Sequence, residues 1–197
     1  LKIDASSGNE AAVSVTGKGD TNIELDGDNE LKSGNRHAGL EHNKTDTSGK
    51  LTIQDKDKNG SLDATGGFRG AGIGGGEAQN GQVTITGGTI TATAGSSSGR
   101  FIYGGGSGIG GGDGDNANGL NKKSDSTGGG RGSNITISGK NTIVNAEGGA
   151  EAAGIGGGRS GDADTIEITD STVISNGHDS DTVSYTHLRA HETRRHL

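Results

Sequence analysis

The chain is expected to be all-β: a right-handed parallel β-helix, a solenoid with three strands per rung and about five rungs, truncated at its C-terminus. Three observations predict this. One glycine pattern occurs three times, as Gly70-Ala-Gly-Ile-Gly-Gly-Gly76, Gly106-Ser-Gly-Ile-Gly-Gly-Gly112 and Ala152-Ala-Gly-Ile-Gly-Gly-Gly158. Each copy follows a short alternating segment, Leu51-Thr-Ile53, Val83-Thr-Ile85 or Ile135-Thr-Ile137, and a fixed order of recurring elements marks a repeat architecture. The third is composition: 197 residues, only 25% hydrophobic, with 42 Gly and no Pro, Cys, Met or Trp. That is too little apolar material for an ordinary globular core. A solenoid needs few apolar residues per turn, and the period-two alternation of Val, Ile and Leu with Thr, Ser and Glu distinguishes it from a disordered chain.

Within a unit the first strand points Leu51/Ile53, Val83/Ile85, Ile135/Ile137 and Ile166/Ile168 inward and Thr52, Thr84, Thr136 and Glu167 outward, because successive side chains alternate faces. The second strand carries Leu62/Ala64, Ile90/Ala92, Val144/Ala146 and Val173/Ser175, whose small members suit a narrow interior. The third carries Ala71/Ile73, Gly108/Ile109 and Ala153/Ile155. An earlier, looser unit offers Ile23/Leu25, Leu31 and Leu40. Gly66-Gly67, Gly87-Gly88 and Gly148-Gly149 are expected at corners, where glycine takes positive φ without strain. The lack of Pro agrees with central strands that need every N–H. Spacing from Ile73 to Ile109 is 36 residues and from Ile109 to Ile155 is 46; the extra length falls in a polar loop insertion over 112–132.

Residues 1–20 are read as a partial N-terminal rung or cap and 21–182 as the β-helix. Residues 183–197 break every trend upstream: glycine vanishes while His and Arg gather. Reverse translation of Val183–Thr193 reproduces a transposase-based sequencing adapter, and adapter sequence resumes at His196-Leu197. The tail is set aside as non-native, and His187, His191 and His196 are given no metal role. The formal net charge is −7, from 18 basic and 25 acidic residues. Without Arg189, Arg194, Arg195 and Glu192 the balance is 15 against 24, or −9. No basic footprint for nucleic acid exists, and no apolar run is long enough to insert in a membrane. Without Met, Leu1 is expected to lie inside a longer protein.

From Leu51 to Ala94 the residues follow the pattern L-T-I … L-x-A-T-G-G-x-x-G-A-G-I-G-G-G … G-x-V-T-I-T-G-G-T-I-T-A. In this the chain resembles the Gly-rich right-handed β-helix regions of bacterial surface proteins, especially those of gut Firmicutes. The resemblance covers about residues 20–180. It implies an exported, extracellular protein at the cell surface or in the cell wall, of adhesin-like or carbohydrate-binding type. The expected function is a non-enzymatic adhesin-like rod that binds polysaccharide, a host or cell-wall glycan, weakly. The alternatives are a calcium-assisted carbohydrate-binding module and, third, a polysaccharide-lyase-like enzyme.

Gly70-Ala-Gly72-Ile-Gly74 looks like a dinucleotide-binding glycine run, but Glu77–Gly81 leads into another strand rather than a helix N-terminus. Asp55, Asp57, Asn59 and Asp63 form the candidate metal site, with calcium as the candidate cofactor. They follow the first part of a calcium loop, with oxygens at alternate positions and Gly60 at the sixth, although Gly66 stands where the closing acid would be. A polar turn between Ile53 and Leu62 is the simpler reading. The acidic turns 111–116 and 157–164 lack the nine-residue period of calcium-binding β-rolls. A lyase needs acids and a base converging on one face; Glu24 and Glu167 lie four rungs apart, about 19 Å, so no catalytic residue is assigned. Thr84, Thr86, Thr89, Thr91 and Thr93 raise the possibility of binding ice or a crystalline polymer. Arg100, Phe101 and Tyr103, beside the insertion, are the candidate glycan-binding residues, since aromatic and loop groups on a rigid scaffold suit that task.

Overall fold

The computed structural model describes residues 1–95, 105–114 and 128–178. These contain strands and turns and no helix, and so no helix long and apolar enough to cross a membrane. The first turn contains β1 (Lys2–Asp4), β2 (Val13–Ser14) and β3 (Thr21–Glu24); the second, β4 (Asp28–Lys32), β5 (Leu40–Glu41) and β6 (Leu51–Gln54). The third contains β7 (Ser61–Phe68), β8 (Ile73–Gly74) and β9 (Thr84–Ile85). The fourth contains β10 (Thr89–Gly95), β11 (Ile109–Gly110) and β12 (Ile135–Ser138). The fifth contains β13 (Ile143–Ala150), β14 (Ile155–Gly156) and β15 (Ile166–Thr169), and β16 (Thr172–His178) opens a sixth. Every third strand pairs in parallel, giving a broad six-stranded sheet (β1-β4-β7-β10-β13-β16) and two five-stranded sheets. We call β2-β5-β8-β11-β14 the glycine sheet and β3-β6-β9-β12-β15 the threonine sheet. The expected parallel β-solenoid is therefore present, and residues 1–20 contribute β1 and β2 to it as stacked strands.

Register follows the aliphatic columns. On the threonine sheet Ile23, Ile53, Ile85, Ile137 and Ile168 lie one beneath the next. On the glycine sheet Leu40, Ile73, Ile109 and Ile155 do the same. On the broad sheet Ala64, Ala92 and Ala146 stack in line, each fully buried, and the larger Leu31 occupies the same column one turn earlier. A one-residue slip would turn every inward side chain to solvent, so these columns fix the pairing. Together they form one continuous apolar spine. Ile166 and Ile168 are only partly buried. They border an open depression of about 400 Å³, lined also by Ile155, Ala163, Val173 and Ser175.

Three expectations need correction. The partner of Ala71 in the next turn is Ser107, not Gly108, since Ile73 pairs with Ile109. Ser107 is fully buried and its hydroxyl donates to the Gly111 carbonyl at 3.0 Å, so a polar side chain fits where alanine otherwise stands. Second, Gly66-Gly67 and Gly148-Gly149 end long strands and are not positive-φ corners. Glycine is needed there for closeness: a Cβ on Gly66 would lie 2.3 Å from the Ala71 carbonyl oxygen, and one on Gly148 would lie 2.5 Å from that of Ala153. Third, the insertion is narrower than 112–132, because Gly130 N–H donates to Gly112 O and Gly132 bridges Gly81 and Ala163 within the stack.

The glycine sheet owes its name to backbone contact between turns. Gly74 and Gly110 have φ of +130° and +133°. A Cβ on Gly110 would sit 2.0 Å from the Gly156 carbonyl oxygen, whereas one on Gly156 meets nothing nearer than 3.3 Å. Both residues share the unusual φ, so the pair separates strain from collision. Gly110→Ala is expected to cost about 3 kcal/mol and Gly156→Ala about 1 kcal/mol. Chemical denaturation midpoints of the two variants check this, and equal losses would contradict it.

Candidate functional site

In the third, fourth and fifth turns the two-residue strand of the glycine sheet, β8, β11 or β14, is flanked by corners that close on one another. Ala71 N–H donates to Gly75 O, Ser107 to Gly111 and Ala153 to Gly157. Each far corner then donates to the near corner of the preceding turn: Glu77 N–H to Arg36 O at 2.8 Å, Asp113 to Arg69 at 2.9 Å, Arg159 to Gly105 at 3.1 Å. The near corners hold Arg36, Arg69 and Glu151 at φ of +71°, +70° and +57°, a region that costs a non-glycine residue on the order of 1 kcal/mol. In return their side chains join a ladder along the stack. Arg36 Nε lies 3.1 Å from Glu77 Oε2. Arg69 pairs with the other Glu77 oxygen and lies 3.8 Å from Asp113 Oδ2. Arg159 lies 2.6 Å from Glu151. The Arg69 guanidinium also covers the Phe68 ring at 5.0 Å, a cation–π contact.

Asp113 is 2% exposed, and its Oδ1 has no hydrogen-bond partner. Burial pushes its carboxyl up to about 7, against the downward pull of Arg69 and Arg159. The ladder neutralises itself, and a group so enclosed does not reach a substrate, so the arrangement fastens the corners. The sequence reading missed it. The available signal was a charge four residues before or after the central aliphatic of each glycine segment: Arg36, Arg69 and Glu151 on one side, Glu77, Asp113 and Arg159 on the other.

The candidate glycan residues Arg100, Phe101 and Tyr103 lie outside the described residues, as does the tail 183–197. The flanks of the 96–104 segment are rooted beside the ladder: Gly95 N–H donates to Gly70 O and Gly105 N–H to Ala150 O. The four candidate metal residues are described. Asp55 Oδ2 accepts from Gly60 N–H at 3.0 Å, closing its own turn, while its Oδ1 is buried without a partner. Asp57 is exposed. Asn59 is exposed and reaches Asp26 at 3.4 Å. Asp63 stands on the outer face of the broad sheet, between Glu30 and Thr91 of the neighbouring strands. Among the described residues no three His, Cys, Asp or Glu side chains are grouped to hold a metal ion.

The outer faces differ. The broad sheet is charged toward its first turns, where Glu30 lies 2.8 Å from Lys2 and 2.6 Å from Lys32. Hydrogen bonds from those ammonium groups bring its carboxyl down to about 2. The same face exposes Ile143 and Ile174. On the threonine sheet Asn22, Thr52, Thr84, Thr136 and Glu167 form one outward column. Glu24, Gln54, Thr86, Ser138 and Thr169 form the other. Compared with known proteins, the chain matches no family model, no curated protein and no solved structure.

Asp113 gives a pH dependence with a defined sign. Its folded-state carboxyl lies near 7 against an ordinary 3.8, so folding favours the protonated form. Its penalty on stability is absent below about pH 4, grows as pH rises and is complete above about pH 7, on the order of 4 kcal/mol. Asp113→Asn is expected to gain stability relative to the parent as pH goes from 5 to 8, read as melting temperature. A constant difference between the two across that range would contradict the assignment.

Proposed function

We propose that the chain is part of an extracellular, cell-surface rod of the Gly-rich bacterial β-helix type, adhesin-like and non-enzymatic, which contacts glycans weakly. One observation carries the reading: polar side chains are set out in columns along a rigid stack instead of converging on one point. On the threonine sheet the two outward acids, Glu24 and Glu167, stand in different columns at opposite ends. Glu24 is already engaged by Gln54 at 2.8 Å and by the Lys56 backbone N–H at 2.6 Å, which leaves it poorly suited to proton transfer. Such a surface suits many shallow contacts along a long partner. The glycine repeat pattern and the resemblance it carries favour the cell surface as the location.

The second reading, a calcium-assisted carbohydrate-binding module, draws on the unpartnered Oδ1 of Asp55. A buried carboxylate oxygen without a donor is costly, and a cation would relieve it.

Beads coated with the full chain are expected to retain insoluble polysaccharide equally well with calcium or EDTA, and to release no unsaturated sugar from pectin-like polymers. Product release would overturn the non-enzymatic reading. Retention that requires calcium and is lost in Asp55→Asn would replace the first reading by the second.

A further inference from the structure

We infer that the outer face of the threonine sheet is the glycan-binding surface, and that its ligand class is a neutral, ordered, insoluble polysaccharide whose chains lie along the stack. The inference rests on the glycan-contacting reading above and adds the surface and the polymer class.

The three faces of the stack are not equivalent. The glycine sheet is closed over by its corners and the ladder Arg36–Glu77–Arg69–Asp113. The broad sheet carries Lys2, Glu30, Lys32, Asp63 and Glu147 on its outward positions. The last turns of the broad sheet are uncharged at Thr89, Ile143 and Thr172 and at Thr91, Asn145 and Ile174, but two isoleucines are exposed there. Among the described residues only the threonine sheet presents two columns of hydroxyl and amide side chains interrupted by neither charge nor aliphatic groups through three turns: Thr52, Thr84 and Thr136 beside Gln54, Thr86 and Ser138. Its charges, Glu24 and Glu167, fall at the first and last turns. In a chain in which 22% of residues are charged and the formal net charge is −7, that clearance is a chemical selection. No cation stands on these columns; the nearest lysines, Lys50, Lys56 and Lys140, lie beyond the strand ends. Lys56 is paired with Glu24 at 3.4 Å, and the net negative charge of the protein disfavours an anionic polymer.

The same columns carry hydroxyl and amide groups that both donate and accept, as sugar hydroxyls do. They include no aromatic ring, so the stacking platform on which a short soluble oligosaccharide depends is missing from this face. Single hydroxyl hydrogen bonds formed in water contribute little net affinity. Useful binding requires many at once, on a partner as regular as the face itself, which repeats at about 4.8 Å per turn. Aligned chains in an insoluble polymer meet that condition, whereas a free oligosaccharide must lose its own conformational freedom first.

The test uses the full chain in sedimentation with microcrystalline cellulose and chitin, with soluble cello-oligosaccharides and polygalacturonate as comparators. The triple variant Thr52→Val, Thr84→Val, Thr136→Val keeps β-branched side chains of similar volume, so strand propensity is retained. Circular dichroism and melting temperature establish that it folds. It is expected to bind the insoluble neutral polymers roughly tenfold more weakly or worse, while Thr91→Val with Thr93→Val on the broad sheet binds as the parent does. Parent-like binding by the threonine-sheet triple, or loss of binding in the broad-sheet pair, overturns the surface assigned here and leaves the glycan-contacting rod standing. Preference for polygalacturonate or for soluble oligosaccharides overturns the polymer class. Ice-growth inhibition lost in the same triple, without polysaccharide binding, overturns it in favour of ice. Should the parent bind no polymer at all, glycan contact itself falls.

Discussion

Vertical register governs this molecule. Parallel strands of successive turns lie at one hydrogen-bonding distance, so whatever occupies a position in one turn must tolerate its counterpart in the next. On the inside, this converts a sparse supply of aliphatics into an unbroken spine, since Ile53, Ile85 and Ile137 each cover the residue beneath. At the glycine sheet the same spacing brings backbone against backbone. The carbonyl of Gly156 reaches the place where a side chain of Gly110 would be. Among the described residues the buried aliphatics form a single inward cluster, which is how a chain with so few hydrophobic residues fills its core.

The corners obey a different balance. Arg36, Arg69 and Glu151 adopt backbone angles that glycine takes more readily, although glycine is abundant elsewhere in the chain. What the charged residues add is a side chain that crosses to the adjacent corner. Arg36–Glu77 and Arg69–Asp113 exchange local strain for a bridge between turns, and Glu151–Arg159 exchanges it for a link between the two corners of one turn, so the device belongs to the coil's construction. Asp113 is the exception within this set: its Oδ1 lacks a partner, and its carboxyl is shifted toward neutrality by burial.

Much of the architecture was legible in the sequence because inward residues announce themselves twice, by alternation within a strand and by recurrence between turns. Leu51, Val83 and Ile135 satisfied both tests and are fully buried. Alignment by glycine alone misled at Gly108, where the true counterpart of Ala71 is Ser107; a buried serine disrupts a hydrophobic pattern while satisfying its hydroxyl locally. The ladder escaped notice because Arg69 and Glu77 are separated by a strand and two turns whose closure only coordinates reveal. At the acidic turn, alternating oxygens suggested convergence. In the fold Asp55 bonds its own turn, whereas Asp63 has already entered β7 and faces outward. The spacing was real, but the strand begins too early for those four side chains to share a centre. The uncharged threonine columns were visible as residues. That the charges lie at their ends and beyond the strand termini became clear only once the turns were stacked.

Strands in this fold run across the long axis, so the hydrogen bonds between turns point along it. Tension applied from one end to the other therefore loads those bonds a single coil at a time, like a zipper, instead of shearing a whole sheet at once. Each coil that peels away lengthens the chain while its neighbours stay wound. A stack wound this way yields under load in small steps, one coil's hydrogen bonds at a time.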